Sequence, residues 1–295
     1  MPTTIEKRKI TPRQVTRRKR PETREEKMIA ALSPNLNVMV EAVRKAGHSL
    51  LRDFGEISSL QVSQKGPGDF VSNADLMAEK NLITYLREAR PDYAFLSEEC
   101  GELKANTPSR FKWVIDPIDG TTNFLHAIPV FSLSVALLDG DEPIAGVIYN
   151  PITNELYYAE KGKGAFLMTA GGNRRLRVSG RTRLGHALVG SNAFGFEKSR
   201  ETMAKLAGSV ASTRFNGCTT LSMASVAAGQ LDAYVACQFK IWDIIVGYLL
   251  IKEAGGYASD FAGNRDLITI IENQTLVASN MGLKDGILKK IGGKK

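Results

Sequence analysis

The sequence predicts a mixed α and β fold, with a sheet-rich half over residues 31–180 and an α/β half over residues 181–288. Two observations support this prediction. Short β-rich runs separated by Gly, Pro and Asn fill the stretch 93–158. After the Gly-Gly-Asn loop at 171–173, strand-like runs alternate with helical ones, which is typical of an α/β unit.

Turn and helix signals set the order of elements in the first half. The Ser-Pro pair at 33–34 predicts a helix start, since Ser caps helices and Pro fits their first turn. Residues 58–72 alternate around a Gly-Pro-Gly-Asp turn, which predicts a hairpin. We expect Asn73 to cap a helix that runs to about Arg90, where a proline ends it. Strands are predicted over 93–97, 111–115, 131–138, 143–149 and 155–158.

The second half alternates between the two kinds of element. Its predicted strands are 187–190, 232–235 and 275–278, and its predicted helices are 197–208, 217–229 and 242–254. This alternation is typical of an α/β unit, and we expect the two halves to form one compact domain.

Composition excludes several classes of protein. With 43% hydrophobic and 24% charged residues, the chain can bury a core and is not wholly disordered. Its three cysteines are far apart and form no C-x-x-C pair, which argues against a disulfide framework or a cysteine zinc site. The most apolar stretch, 241–251, is too short to span a bilayer and contains Asp243. We therefore expect a cytoplasmic protein without membrane contact.

Positive charge is concentrated at the start of the chain. The net charge is +8, and residues 1–27 contain ten Lys and Arg but only four Glu. We expect a basic, disordered leader over residues 1–30, followed by a folded domain over 31–288. The basic run at 17–20 fits contact with RNA or an acidic partner, but no aromatic residue lies among its charges for base stacking, which favours a solvated tail.

The most informative string is W-V-I-D-P-I-D-G-T-T-N-F, over residues 113–124. An apolar strand leads to Asp116, and Pro and Gly then turn the chain, so Asp116 and Asp119 can point into one pocket. Crowded carboxylates require a cation, and oxygen ligands favour Mg²⁺ or Mn²⁺ over zinc. Main-chain N–H groups of Gly120 and Thr121 at the following helix start can bind phosphate. A plain β-turn explains Asp119-Gly120 alone, but not the whole string.

This string resembles the first signature of the inositol monophosphatase family, which comprises Mg²⁺-dependent phosphatases of small polyol and sugar phosphates. Three other segments resemble family motifs in the same order. These are Lys65 with the G-D-F-V-S-N-A-D run ending at Asp75, the S-E-E segment at 97–99, and W-D at 242–243 followed by E-A-G-G at 253–256. The resemblance covers about residues 33–285 and implies a five-layer αβαβα sandwich of the sugar-phosphatase type.

The resemblance also implies a set of metal ligands. Glu98, Asp116 and the main-chain carbonyl of Ile118 would hold a first Mg²⁺, and Asp116, Asp119 and Asp243 a second. Glu98 would help to hold a third, weaker ion, and Mn²⁺ could replace Mg²⁺. From the residues alone, Asp243 is also an acceptable helix cap.

Catalytic and substrate roles follow from the same resemblance. Thr121, hydrogen-bonded to Asp75, would orient or deprotonate a metal-activated water, with Glu98 as a further catalytic residue. For Asp75, Lys65 and Lys240, the alternative is an ordinary exposed side chain with no catalytic or binding role. The predicted phosphate- and substrate-binding residues are Gly120, Thr121, Lys65, Thr219 and Lys240.

Two positions depart from the family pattern. Relatives that cleave inositol phosphates have Gly-Ser/Thr-Ala-Ala where this chain has Gly-Cys-Thr-Thr at 217–220. They also have a glutamate where this chain has Ala236, and the loss of that acceptor should weaken polyol recognition, since an unpaired hydroxyl costs about 1–3 kcal/mol. Lys240 could instead attract a second anionic group of the substrate.

We therefore expect a Mg²⁺-dependent phosphate monoester hydrolase, with inositol 1-phosphate as its first candidate substrate. Alternatives are fructose 1,6-bisphosphate or a 3′-phosphorylated nucleotide, or a non-catalytic role with the transcription machinery and ribosomal RNA through the basic leader. The resemblance also implies a homodimer.

Overall fold

A computed structural model of the chain describes residues 23–56, 62–66, 69–192 and 197–292. Within those ranges, no helix combines the length and apolarity that crossing a membrane requires. The helices are α1 Arg24–Ala30, α2 Pro34–Gly55, α3 Asn73–Ala89, α4 Thr121–Leu125, α5 Glu197–Leu206, α6 Thr219–Ala227, α7 Ile241–Glu253, α8 Leu267–Asn273 and α9 Lys284–Ile291. The strands of the first half are β1 Val62–Gly66, β2 Asp69–Ser72, β3 Ala94–Ser97, β4 Gly101–Leu103, β5 Phe111–Asp119, β6 Ser132–Asp139, β7 Glu142–Asn150, β8 Glu155–Glu160, β9 Gly164–Thr169 and β10 Gly172–Arg175. Those of the second half are β11 Leu188–Ser191, β12 Ser212–Arg214, β13 Ala233–Cys237, β14 Tyr257–Ser259 and β15 Thr275–Ser279.

The strands form the predicted hairpin, β1 with β2, and two larger sheets. The large sheet has the order β10-β9-β8-β7-β6-β5-β3-β4, and the small sheet the order β12-β11-β13-β15-β14. In the large sheet β3 and β5 run parallel, whereas the other neighbouring strands are antiparallel. The carboxyl ends of β3 and β5 therefore meet at one edge of the sheet.

Three apolar cores lie between the five layers, and one of them covers both faces of the middle layer, α6 and α7. Neighbouring residues of β5 face opposite sides, as strand geometry requires: Trp113 packs with α2 and α3, and Val114 with α6 and α7. The small sheet repeats this division, since Ala278 of β15 faces α6 and α7 while Val277 faces α5 and α9. The order of layers is helix, sheet, helix, sheet, helix, which confirms the predicted αβαβα sandwich.

The predicted main elements are confirmed with small shifts at their ends, but one cap was wrong. Ser72, rather than Asn73, caps α3: its side chain accepts a hydrogen bond from the N–H of Ala74 at 3.2 Å. Asp75 completes a capping box by accepting the Ser72 N–H at 2.8 Å. Several short elements were not predicted from the sequence, namely β4, β9, β10, β12, β14, α8 and α9.

The structure also corrects the predicted end of the leader. Thr23 caps α1 by accepting a hydrogen bond from the Glu26 N–H at 3.1 Å, and Ile29 is only 7% exposed in the core shared with α2 and α3. Residues 23–30 are therefore part of the folded body, because an apolar residue of α1 is buried there. Residues 1–22, including the basic run at 17–20, lie outside the described residues.

The E-A-G-G motif at 253–256 packs the end of α7 against its neighbours. Glu253, at the end of α7, accepts the main-chain N–H groups of Gly162 at 2.8 Å and Gly164 at 2.7 Å, in the turn between β8 and β9. A Cβ on Gly256 would lie 2.6 Å from Cγ2 of Ile251, so a side chain does not fit there. The motif thus fixes the end of α7 against the large sheet.

The contact between α6 and α7 generates a prediction about stability. A Cβ on Gly247 of α7 would lie 2.5 Å from Cβ of Met223 in α6. Among the described residues outside α9, the nearest atom to a Cβ on Gly286 of α9 is Cδ2 of Leu184, at 3.9 Å. Gly247→Ala should therefore lower the free energy of unfolding by about 1–3 kcal/mol through overpacking. Gly286→Ala, the matched control, should raise it by about 0.5–1 kcal/mol, since alanine favours helices. Urea denaturation measures both, and equal effects of the two substitutions would contradict the packing assignment.

Candidate active site

The four carboxylates predicted as metal ligands are brought together. Glu98 follows β3, Asp116 and Asp119 lie on β5, and Asp243 stands in the first turn of α7. Burial raises the pKa of Asp116 well above its ordinary value, and the neighbouring charges of Glu98, Asp119 and Asp243 raise it further. Residues separated by more than a hundred positions in the sequence therefore form one acidic group.

An irregularity in β5 allows Asp116 and Asp119 to face one site. Side chains three positions apart on a regular strand point to opposite faces of the sheet. Asp116 is opposite Ser134 of β6, and Asp119 is opposite Ser132. Three steps along β5 therefore match two steps along β6, so β5 has one extra residue here. The extra residue of this β-bulge brings both carboxylates to the same side.

The chemical types of the donor groups at this site suit a hard divalent cation. Asp116 Oδ1 is buried and has no hydrogen-bond partner in the described part of the chain, and a buried acceptor of that kind requires a proton or a cation. The neighbouring carboxylates and the Ile118 carbonyl offer the oxygen ligands that Mg²⁺ prefers. As the side chains stand, however, no group of three or more His, Cys, Asp or Glu among the described residues is arranged so that it could hold a metal ion.

Asp119 is held by residues whose role was not predicted from the sequence. Its Oδ2 accepts hydrogen bonds from the Thr220 N–H at 2.6 Å, the Thr220 hydroxyl at 2.6 Å and the Cys218 thiol at 3.1 Å. Burial raises the pKa of Asp119, and these hydrogen bonds lower it in part. Only the departure of segment 217–220 from the family pattern pointed to these residues.

Asp243 is the third residue of α7, after the N-cap residue Lys240, and it lies near Asp116. Its Oδ2 accepts the Lys240 N–H at 2.7 Å, so it completes the cap of α7 while its charge acts on Asp116. The Lys240 residue itself is exposed.

The predicted contact between Thr121 and Asp75 is present. The Thr121 hydroxyl lies 3.1 Å from Asp75 Oδ1 and 3.0 Å from the carbonyl oxygen of Ile118, and its single proton can be donated to one of them at a time. Asp75 also accepts hydrogen bonds from the N–H and hydroxyl of Ser72, at 2.8 and 2.7 Å. Burial raises the pKa of Asp75, while the bonds from Ser72 and Thr121 lower it in part.

The turn that leads into α4 requires glycine. Gly120 has a left-handed backbone with φ of 96°, and a Cβ there would lie 3.0 Å from the Val130 carbonyl oxygen and 3.2 Å from that of Gly217. The Asn123 side-chain amide donates to the carbonyls of Val130 at 2.7 Å and Asn216 at 2.8 Å. Asn123 therefore fixes the loops on either side of this turn, which explains the last polar residue of the D-G-T-T-N motif.

The other predicted substrate residues have different surroundings. Thr219 lies at the start of α6, with its hydroxyl 3.1 Å from the hydroxyl of the buried Tyr234. Ala236 is buried in the core around α6 and α7, so its position offers no acceptor. Lys65 lies on β1, and its side chain is outside the described part of the structure.

Glu79, whose role was also not predicted from the sequence, holds the turn that carries Glu98. Its Oε1 accepts hydrogen bonds from the Ser97 hydroxyl and from the N–H groups of Glu99 at 2.9 Å and Cys100 at 3.3 Å. Glu79 lies one helical turn after Asp75 on α3, so both carboxylates project from one face of that helix. The spacing of four positions between Asp75 and Glu79 was the sequence feature that could have indicated a role for Glu79 at the site.

Comparison with known proteins identifies the family. The inositol monophosphatase family profile matches residues 31–294. An inositol-1-monophosphatase of Mesorhizobium japonicum is 44% identical over 270 residues, covering 88% of this chain and 97% of that protein. A Nus factor SuhB of Xylella fastidiosa is 40% identical over 235 residues, covering 78% and 83%. The crystal structure of extragenic suppressor protein suhB from Bartonella henselae superposes with a TM-score of 0.83 at 40% identity, covering 88% and 98%. The chain therefore belongs to the inositol monophosphatase family.

Proposed function

We propose that this protein is a Mg²⁺-dependent phosphate monoester hydrolase of small polyol or sugar phosphates, with inositol 1-phosphate as the first candidate substrate. The observation that carries the proposal is the convergence of Glu98, Asp116, Asp119 and Asp243 beside the turn at Gly120. Membership of the inositol monophosphatase family supports the reaction class, and the name of the M. japonicum relative supports the substrate.

The acidic group divides into overlapping ligand sets. Glu98, Asp116 and the Ile118 carbonyl would hold one Mg²⁺, and Asp116, Asp119 and Asp243 a second, while Glu98 would contribute to a third. When bound, the ions neutralise the carboxylates, lower the pKa of the attacking water and stabilise the charge on the leaving oxygen. Oδ1 of Asp116, which has no hydrogen-bond partner among the described residues, supports the place of Asp116 in both main sets.

Thr121 and Asp75 orient the attacking water. The Thr121 hydroxyl can accept a hydrogen bond from that water while it donates its own proton to Asp75 Oδ1, 3.1 Å away. Asp75 is itself fixed by two hydrogen bonds from Ser72, so the direction of this chain of hydrogen bonds is set by the cap of α3.

The turn at Gly120 binds the phosphoryl group. Main-chain N–H groups in the first turn of a helix have no partner inside the helix, so those of Gly120 and Thr121 can donate to phosphate oxygens. Attack by water forms the new P–O bond as the ester P–O bond breaks. The proton that the water loses passes through the Thr121 hydroxyl to Asp75, and the leaving oxygen takes up a proton from solvent. No covalent phospho-enzyme is required.

Substrate choice is less constrained than the chemistry. Neither Ala236, which is buried, nor Lys240, which is exposed at the start of α7, has a carboxylate that could accept a hydrogen bond from a ring hydroxyl. Fructose 1,6-bisphosphate and a 3′-phosphorylated nucleotide therefore remain alternative substrates, and each brings a second anionic group that Lys240 could attract.

A second role, in transcription, is favoured by one observation, the 40% identity to a protein named Nus factor SuhB. The basic run at 17–20 would be the point of contact with RNA. We propose it as an additional role rather than a replacement for hydrolysis.

Asp116→Asn should lower kcat by at least ~100-fold, the scale of losing one electrostatic contributor to the transition state. The measurement is phosphate release from inositol 1-phosphate at saturating Mg²⁺. Asp141→Asn, which removes an exposed carboxylate in the turn before β7, is the control and should leave kcat unchanged. Near-normal turnover of the Asp116 variant would remove this residue from the mechanism.

A panel of esters tests the substrate and the metal together. Inositol 1-phosphate should give the highest kcat/KM, and hydrolysis of every ester should stop with EDTA and return with Mg²⁺. If fructose 1,6-bisphosphate or the 3′-phosphorylated nucleotide gives a higher kcat/KM, and Lys240→Ala lowers that value selectively, then that ester rather than inositol 1-phosphate is the substrate. Hydrolysis that continues in EDTA would contradict the metal requirement.

Deletion of residues 1–22, which leaves α1 intact, tests the RNA contact. If the leader carries it, the truncated protein should bind RNA more weakly, and the affinity of the full chain should fall steeply between 50 and 200 mM salt, the range over which phosphate contacts weaken. Equal affinities of the two proteins would show that the leader does not bind RNA.

A further inference from the structure

The Asp119 carboxylate is fixed by a segment from the other half of the chain. The three donors on its Oδ2 are the main-chain N–H and hydroxyl of Thr220 and the thiol of Cys218, all at the start of α6. The same segment supports the neighbouring turn, since a Cβ on Gly120 would lie 3.4 Å from Cβ of Cys218. The start of α6 thus touches both Asp119 and the turn proposed to bind phosphate.

The protons of this network can be assigned. The Thr220 hydroxyl lies 2.6 Å from Asp119 Oδ2 and 2.6 Å from the Ser132 hydroxyl. An ionised carboxylate only accepts hydrogen bonds, so Thr220 donates to Asp119 and Ser132 donates to Thr220. Ser132 is also the residue of β6 that lies opposite Asp119 in the sheet. The hydroxyls of Ser132 and Thr220 therefore form one directed chain that ends on the carboxylate.

Burial makes this chain of hydrogen bonds difficult to replace. Thr220 and Ser132 are 0% exposed, and Cys218 is 3% exposed. Bulk water cannot reach Asp119 Oδ2 from this side, so a lost hydroxyl would leave the acceptor with fewer donors and the carboxylate freer to rotate. A carboxylate that binds a cation needs a fixed orientation, and its outer hydrogen bonds supply it.

We propose that Thr220 is a positioning residue for the reaction. Its hydroxyl, supported by Ser132 and assisted by Cys218, fixes the orientation in which Asp119 binds a divalent cation. This inference rests on the proposed function, in which Asp119 is a metal ligand. Removal of such an outer partner reduces metal affinity by roughly 10–100-fold in comparable sites.

Direct measurement of Mn²⁺ binding to the full chain, by calorimetry without substrate, tests the proposal. Thr220→Val removes the hydroxyl at nearly constant volume and should raise the Kd for Mn²⁺ by roughly 10–100-fold. Thr220→Ser keeps the hydroxyl and should stay within about threefold of wild type. Ser225→Ala is the matched control: it removes a hydroxyl from the same helix that donates to the Leu221 carbonyl, and it should leave the Kd unchanged.

Kinetics separates positioning from a purely structural role. In Thr220→Val the Mg²⁺ concentration for half-maximal activity should rise, while KM for the ester at saturating Mg²⁺ should stay near wild type, because the N–H groups of Gly120 and Thr121 are intact. A purely structural role would lower the thermal midpoint of unfolding and leave the Kd of the folded protein for Mn²⁺ unchanged.

The outcomes distinguish this inference from the proposed function. Wild-type binding of Mn²⁺ by folded Thr220→Val would overturn the inference alone. If wild-type protein binds no Mn²⁺ and hydrolyses no ester, the proposed function fails and this inference with it. Should Thr220→Val not fold, Ser132→Ala takes its place, since it removes the donor to Thr220 and keeps all three donors to Asp119 Oδ2. It should weaken Mn²⁺ binding in the same direction by a smaller factor, and an unchanged Kd would overturn the inference.

Discussion

The constraint on which the structure depends is the mutual repulsion of carboxylates gathered at one edge of the large sheet. Burial and the charges of three neighbours raise the pKa of Asp116, which means that its ionised form is disfavoured in the protein alone. A bound cation reverses that preference, because opposite charges at short distance outweigh the loss of solvation when the ligands are fixed. The architecture around the site therefore has to hold the acidic residues close together.

The protein does this with neutral donors. Asp119 is held by Thr220 and Cys218, and Asp243 by the N–H of Lys240. The turn that carries Glu98 is held in a different way, since the N–H of Glu99 donates to Glu79. Amide, hydroxyl and thiol groups orient a carboxylate without cancelling its charge, unlike the guanidinium of an arginine. The negative charge thus remains available for a divalent ion, and the fold is the scaffold for these donors: α3, α6 and α7 each begin beside the site.

What could be predicted from the sequence depended on how local the signal was. The Ser33 cap, the turn at Gly120 and the positions of the main strands along the chain are encoded within a few residues each. The contact of Thr121 with Asp75 followed from the family resemblance. The bonds from Thr220 to Asp119 join residues 101 positions apart and have no periodic signature. The bulge between Asp116 and Asp119 is likewise set by the pairing of β5 with β6, and the packing of Ile29 by tertiary contact.

The most direct test of the convergent acidic site is a crystal structure of the protein with Mn²⁺ and inorganic phosphate, with the metal located by anomalous scattering. We expect one ion bound by Glu98, Asp116 and the Ile118 carbonyl, a second by Asp116, Asp119 and Asp243, and phosphate oxygens on the N–H groups of Gly120 and Thr121. A structure in which Asp116 binds no metal, or in which the phosphate lies away from the turn at Gly120, would contradict the site described above.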